Sequence, residues 1–432
     1  MTNERKQTSI ASKILWIVGS FSLPIAVLVY LLVGSINESI QFGQKELEGA
    51  KYLRPLAAVQ KHVQDYWLSD AACHGQAACQ AQSEFARKAV LNDLDELDAA
   101  DRKYGVSLQF TAEGLAKRGR EGMRPENLRE AWLKFVALPV SDPHRPASFA
   151  KVVAMARTMI THAGDSSNLI LDPDLDTYYM MDAVLLALPS MQDRVSQVTV
   201  AAAHAGSDTS ERFNVAVDAA LMKQADFDRT VLSVETALNE DAQFYGVSAG
   251  MSERVKPVLR RFITSNTNFT SLVNKASVEG VAVAPAAIRA AGEQARQTLD
   301  QLWNTGMAEL EIMLWNRIST MQGRRTRALL ISLLALLAAC GLAFYLSRTI
   351  TSPLELLVRS LGPGATLLAG CVERVSEVTT AKDVTAEEAE IICGELNAHA
   401  DEMRKAVLAL AYHVRGAEAA ELADAVAGVG RS

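Results

Sequence analysis

Apolar residues fall into two kinds of pattern along this chain. Ile14 to Gly34, ILWIVGSFSLPIAVLVYLLVG, and Ala328 to Leu346, ALLISLLALLAACGLAFYL, are nearly unbroken apolar runs of about 21 and about 19 residues, each long enough to cross a bilayer core as a helix. Between them, apolar positions recur at alternating spacings of four and three, the period of a helix with one buried face. Met181, Leu185, Leu188, Met191, Val195 and Val198 form one such seam. Phe213, Val217, Ala220, Gln224, Phe227, Val231, Val234 and Leu238 form a second, and Val255, Leu259, Phe262, Asn266, Phe269, Val273 and Ala276 a third. Leu299, Trp303, Met307, Leu310 and Leu314 lead into the second apolar run. Turn-forming residues break the pattern at Gly119 to Pro125, Pro139 to Pro146, Asp172-Pro173, Gly206-Ser207-Asp208, Tyr245-Gly246 and Gly280 to Pro285. The expected fold is all-α: two transmembrane helices flanking a long-helix bundle, then a short cytoplasmic helical tail. A four-helix core with a helical portion inserted in residues 80 to 160 and two stacked bundles both fit.

The spans divide the chain into a cytoplasmic N-terminus (1–13), a first transmembrane helix (14–34), an extracytoplasmic helical domain (35–327), a second transmembrane helix (328–346) and a cytoplasmic remainder. The first run is longer than the apolar region of a cleavable signal peptide and no Ala-x-Ala-like site follows, so it reads as an uncleaved anchor. Arg5, Lys6 and Lys13 before it, with Asn37 and Glu38 after it, place the N-terminus inside. Arg324, Arg325 and Arg327 oppose that orientation, but the first span usually dominates over a long translocated segment.

Composition adds exclusions. The 432 residues carry a formal charge of −7 with an isoelectric point near 5.6, and no basic stripe with interleaved aromatics appears, so no nucleic-acid partner is expected. A mean hydropathy of +0.07 follows from the two apolar runs. Cys73 and Cys79 are close enough in sequence to bridge across a short turn in an oxidising compartment; two small buried thiols at adjoining helix ends is the alternative. Neither His74 beside them nor any other His grouping has a zinc-site spacing, and neither a metal nor a cofactor is expected.

The most distinctive stretch is Ser167 to Asp182, SNLILDPDLDTYYMMD. Its alternating aspartates suggest a calcium loop, but Thr177 and Ala183 stand where such a loop needs Gly and Glu. Locally it reads as a helix start, with Asp172 as N-cap, Pro173 at the first helical position, and Asp174 and Asp176 favoured by the helix dipole. Asp172, Asp174, Asp176, Tyr178, Tyr179 and Asp182 also match the Asp-Pro-Asp-Leu-Asp-x-Tyr-Tyr-x-Met-Asp segment of a group of bacterial sensory domains, which this stretch resembles over residues 167 to 189. Directly after the second span, Arg348, Ile350, Pro353, Leu354 and Leu357 resemble the opening of a HAMP domain. Together with the order of span, helical region and span, these likenesses resemble a bacterial methyl-accepting chemotaxis protein.

That resemblance implies a two-pass receptor of the bacterial cytoplasmic (inner) membrane, acting as a homodimer. Its sensory domain would lie in the periplasm or outside and bind a small-molecule ligand. Arg118 and Arg120 beside one break, and Arg260 and Arg261 in a second group, are the candidates for clamping an organic acid or amino acid, because a guanidinium fork suits a carboxylate; solvated surface charge is the plainer account of them.

The chain departs from the resemblance at its end. Leu361-Gly-Pro-Gly364 interrupts the relay (347–382), and only residues 383–432 follow, with one coiled-coil-like helix over Thr385 to Val414. At 1.5 Å per residue, roughly 85 residues cannot build a HAMP domain and a long signalling hairpin. That argues against engagement of the chemotaxis kinase and its coupling protein. His399 and His413 lack the Glu-x-x-x-Pro that follows a phospho-accepting histidine, and no nucleophile-base constellation or phosphate-binding loop stands out, so no enzyme activity is expected. The alternatives are the input half of a truncated sensor kinase and a non-signalling membrane scaffold.

Overall fold

A computed structural model describes residues 10–73, 77–206, 208–244, 246–346, 348–349 and isolated positions between 387 and 405. Among the described residues the chain is all-α, with no strand. Two very long helices dominate: α1 (Ile10–Cys73) and α11 (Pro285–Leu346). They are the two helices among the described residues long and apolar enough to cross a membrane, with mean hydropathy of 1.7 and 2.4 over their most apolar windows. Those windows are almost wholly exposed, Leu23 at 70% and Leu334 at 65%, which separates them from the buried core helix of a soluble protein.

Contacts divide the chain into two units, Val33–Arg327 and the two terminal portions. In the first unit, the later part of α1 is followed by α2 (Ala77–Tyr104), α3 (Ala112–Ala116), α4 (Pro125–Ala137), α5 (Arg145–Ser167), α6 (Leu175–Met181), α7 (Leu188–His204), α8 (Thr209–Leu221), α9 (Asp228–Glu240), α10 (Met251–Ser277) and the early part of α11. The helix ends follow local chemistry. Pro125 opens α4 at the position where a missing N–H costs nothing, and the Asp208 carboxylate caps α8 by accepting from the Ser210 and Glu211 amides at 2.8 and 3.1 Å. Asn168 closes α5 in the left-handed conformation.

The hydrophobic core is continuous through this unit. One wall is aromatic: Tyr66 and Trp67 of α1 meet Trp132 and Phe135 of α4 and Phe149 of α5, with the Arg145 guanidinium 4.9 Å over the Phe135 ring. Polar contacts order the helices. Gln60 and Gln64 of α1 reach the Pro189 carbonyl and Asp193 of α7, Arg129 of α4 pairs with Asp95 and Asp98 of α2, and Arg254 of α10 pairs with Glu309 of α11. The seams of α7, α10 and α11 are buried at the positions their spacing predicts, except that Ala276 at the end of the α10 seam is half-buried.

The seam of α8 is not. Phe213 and Val217 are exposed, and Val215, Ala219 and Met222 are buried instead. A π-helical turn, Met222–Phe227, joins α8 to α9, and the buried face continues through it over Asp226, Thr230 and Ser233, polar positions that an apolar seam does not report. A second π turn, Asp182–Ala187, joins α6 to α7, and here the cause is visible. Pro189 has no N–H, so the helix cannot bond there in the ordinary way, and the Leu188 amide reaches back to the Ala183 carbonyl. That leaves the Val184 carbonyl without a backbone donor, and Trp303 of α11 fills the gap by donating its indole N–H at 2.8 Å. Trp303→Phe is therefore expected to lower stability by about 1–3 kcal/mol through an unpaired buried carbonyl, read by urea unfolding of the full chain in detergent micelles. A loss within ~0.5 kcal/mol, the range of an ordinary surface change, would rule that account out.

Candidate functional site

The two helices that carry the apolar spans are joined by a ladder of side chains. Arg325 of α11 donates to the Asn37 side chain of α1 at 2.9 Å. Arg317 reaches Glu46, Arg54 reaches Glu311 at 2.7 Å, and Arg296 reaches Asp65. Residue numbers rise on α1 as they fall on α11, so the two run antiparallel in one register. Buried ion pairs are weak sources of net stability, but they specify a register, because a displaced pair strands both charges.

The rung at Arg317 is the most elaborate, and it contains the aspartate motif. Its Nη1 donates to Asp172 Oδ1 at 2.7 Å and to Asp174 Oδ2 at 3.2 Å, while Nη2 donates to Glu46 Oε2 and, at 3.3 Å, to Asp172 Oδ2. All four side chains are buried, Glu46 completely. The backbone there is tight: a Cβ added at Gly49 would lie 2.3 Å from Ser167 Cβ, so α1 approaches α5 at a distance only glycine allows.

Three carboxylates around one guanidinium cannot all ionise cheaply. Burial, with Asp172 beside it, pushes the Glu46 carboxyl up to about 9, so it holds a proton at neutral pH. Burial pulls Arg317 in the opposite sense, but Asp172, Glu46 and Asp174 together outweigh it and keep the guanidinium charged. Asp176, fully buried with one oxygen on the Thr177 amide at 2.7 Å and the other without a protein partner, is pushed up to about 6 by burial.

This geometry corrects the local reading of the motif. The helix begins at Leu175 with Asp174 at the cap position, and no side chain caps it. Asp172 is not the N-cap. It closes the preceding turn, accepting from the Asp174 amide at 3.0 Å, and spends its remaining lone pairs on Arg317. Downstream, Asp182 takes Arg229 of α9 and the Ser233 hydroxyl, while Tyr178 and Tyr179 contact each other edge to face.

The arginines proposed as anion clamps are not gathered together. Arg118 donates to the Gln109 side chain at 2.5 Å, and Arg120 pairs with Asp165 at 2.6 Å and faces the buried His162. Burial pulls His162 down, so it stays neutral, packed edge to face on Phe110. Arg260 and Arg261 lie exposed on α10, with Arg261 beside Gln294, Gln297 and Gln301 in an open groove. Cys73 ends α1 and Cys79 lies in the first turn of α2, with their side chains outside the described residues. Of the relay, Arg348 is described and exposed; Ile350, Pro353, Leu354 and most of the tail helix lie outside the described residues. Among the described residues no group of three or more His, Cys, Asp or Glu is arranged to hold a metal.

A second feature lies further along the same two helices. A cavity of about 320 Å³ opens between α1, α2, α7 and α11, lined by Lys61, His62 and Asp65, by Phe85, and by Arg289, Glu293 and Arg296, among others. Comparison with protein-family models, with curated proteins and with solved structures finds no match for this chain.

Proposed function

We propose that this chain is a two-span receptor of the chemotaxis type in the bacterial cytoplasmic membrane. The unit 33–327 would face the periplasm, bind a small solute and pass a change in helix packing through α11 to the segment after Leu346. The observation that supports this best is the ladder between α1 and α11, with the aspartate motif clamped on it at Arg317. The two helices with apolar ends are the two that the ladder registers, so any solute that favours another register acts on both spans. Such a solute shifts the equilibrium by no more than its differential affinity for the two packings.

The test is a distance measurement. Native cysteines are replaced by serine, and spin labels are placed at the exposed Gln44 of α1 and Gln322 of α11, both between the Arg317 rung and the Arg325–Asn37 rung. The full chain in nanodiscs is then presented with mixtures of small organic acids and amino acids. A receptor shows a solute-dependent redistribution between two distances. A single distance, unmoved by every solute tried, favours a static membrane scaffold and overturns the proposal.

A further inference from the structure

We infer that the cavity between α1, α2, α7 and α11 binds a small carboxylate with an apolar body, and that its binding acts on the ladder through Arg296. This rests on the receptor reading for its consequence, but not for the binding itself.

Three cations line the cavity: Lys61, Arg289 and Arg296. The two carboxylates among the lining residues are already engaged. Asp65 accepts from Lys61 at 2.8 Å and from Arg296, and Glu293 accepts from Gln297 at 2.9 Å and weakly from Arg296 at 3.4 Å. Arg289 is exposed and makes no ion pair among the described residues. Arg296 is 4% exposed, yet its Nε–H has no protein acceptor. A buried donor without an acceptor costs about 1–3 kcal/mol, and an incoming carboxylate oxygen would remove that cost.

His62 and His204 each donate Nδ1–H, to Asp93 at 2.5 Å and to the Val200 carbonyl at 2.7 Å, so the donors for an anion are the three cations and not the imidazoles. With its carboxylates satisfied and its cations in excess, the cavity favours an anion over an ammonium or a zwitterion. Leu68, Phe85, Ala86, Val200 and Ala203 supply the apolar part of the wall. Phe85, 74% exposed at the cavity, offers a ring face to an apolar ligand body. The volume lies at the small end of ligand sites, which suits a ligand of benzoate size.

The consequence follows from Arg296 itself. It is the guanidinium of the Asp65 rung, so a carboxylate in the cavity competes with Asp65 for one fork. The backbone beside it leaves no slack, since a Cβ on Gly292 would meet Thr199 Oγ1 at 2.2 Å. Weakening this rung frees the two continuous helices to change register, and the displacement is carried to the Arg317 rung, 19 residues away on α1 and about 28 Å along its axis.

The probes are sodium benzoate and sodium butyrate, with benzylamine as the cationic control. Each is titrated calorimetrically into the full chain in nanodiscs at pH 7. One site per chain is expected for the carboxylates and none for benzylamine, with affinity falling as salt rises. Arg289→Gln should weaken binding at least tenfold and Phe85→Ala several-fold, and because both residues are exposed, neither should change the unliganded melting temperature. Absence of carboxylate binding by a folded chain, or binding that both substitutions leave untouched, overturns the site. If benzoate binds and the Gln44–Gln322 distances do not move, the site stands and the receptor reading fails. If benzoate does not bind and another solute moves those distances, the site fails and the receptor reading stands.

Discussion

Replacing Arg317 by methionine is expected to destabilise the unit 33–327 by about 3–5 kcal/mol at neutral pH, the cost of leaving buried charge without its partner. Asp172 and Asp174 would then face each other in a buried site with the guanidinium gone, beside a Glu46 that already holds a proton. Most of the loss comes from stranded charge, not from a missing attraction. Adding Asp172→Asn and Asp174→Asn to Arg317→Met should therefore recover much of the stability instead of compounding the damage. Arg317→Lys should fall between, because one ammonium cannot serve Glu46, Asp172 and Asp174 as the planar fork does. Urea unfolding of the full chain in micelles, followed by tryptophan fluorescence, separates these cases. If the triple variant is less stable than Arg317→Met alone, the cluster is held by its pairs in the ordinary additive sense, and the stranded-charge account is wrong.

The cluster also marks where sequence reading stopped. A helical period reports which face of a helix is buried, and on that basis the seams of α7, α10 and α11, the two apolar runs and six of the breaks between helices were legible, while the break from Gly105 to Thr111 was not. It does not report which partner covers the face. Asp172 and Asp174 meet Arg317 across 145 and 143 residues of chain, so a local reading could assign them only to the nearest helix end. A signal was nevertheless present. Extending the α11 seam of Leu299, Trp303, Met307, Leu310 and Leu314 by three residues in each direction lands on Arg296 and on Arg317, two arginines at core positions. A charge on a buried stripe needs a counter-charge, and Asp65 and Glu46 are those partners on α1. The arginines at 118, 120, 260 and 261 cluster in sequence, but Arg118 and Arg120 are half-buried on Gln109 and Asp165 while Arg260 and Arg261 are exposed. The π turn at Asp182–Ala187 was hidden for a different reason: Pro189 sits within an otherwise sound seam, and its effect is to insert a residue, not to end the helix.

Raising the pH from about 4.5 to about 9 is expected to lower the stability of the chain through Glu46. Its folded pKa, about 9, lies above the unfolded value of 4.5. Below 4.5 both states hold the proton and the contribution is fully present. Between 4.5 and 9 only the folded state holds it, so stability declines by about 1.4 kcal/mol per pH unit for a complete one-proton difference. Asp176 acts in the same direction over a narrower window, from 3.8 to about 6. Other carboxylates titrate in the acid part of this range, so the decisive quantity is the difference between the natural chain and Glu46→Gln, which keeps the shape and an acceptor for Arg317 but cannot titrate. The stability of the natural chain relative to Glu46→Gln should fall steadily as pH rises from 4.5 and level off above 9. Two accounts of the Glu46–Arg317 contact are thereby opposed in sign. If Glu46 were an ionised partner of Arg317, its folded pKa would lie below 4.5 and the advantage of the natural chain over Glu46→Gln would grow through the acid range, then stay flat to pH 9. A protonated Glu46 instead makes Arg317 the counter-ion of Asp172 and Asp174. The hold of α1 on α11 at this rung then depends on a proton whose loss in alkali would place a third negative charge around a single guanidinium.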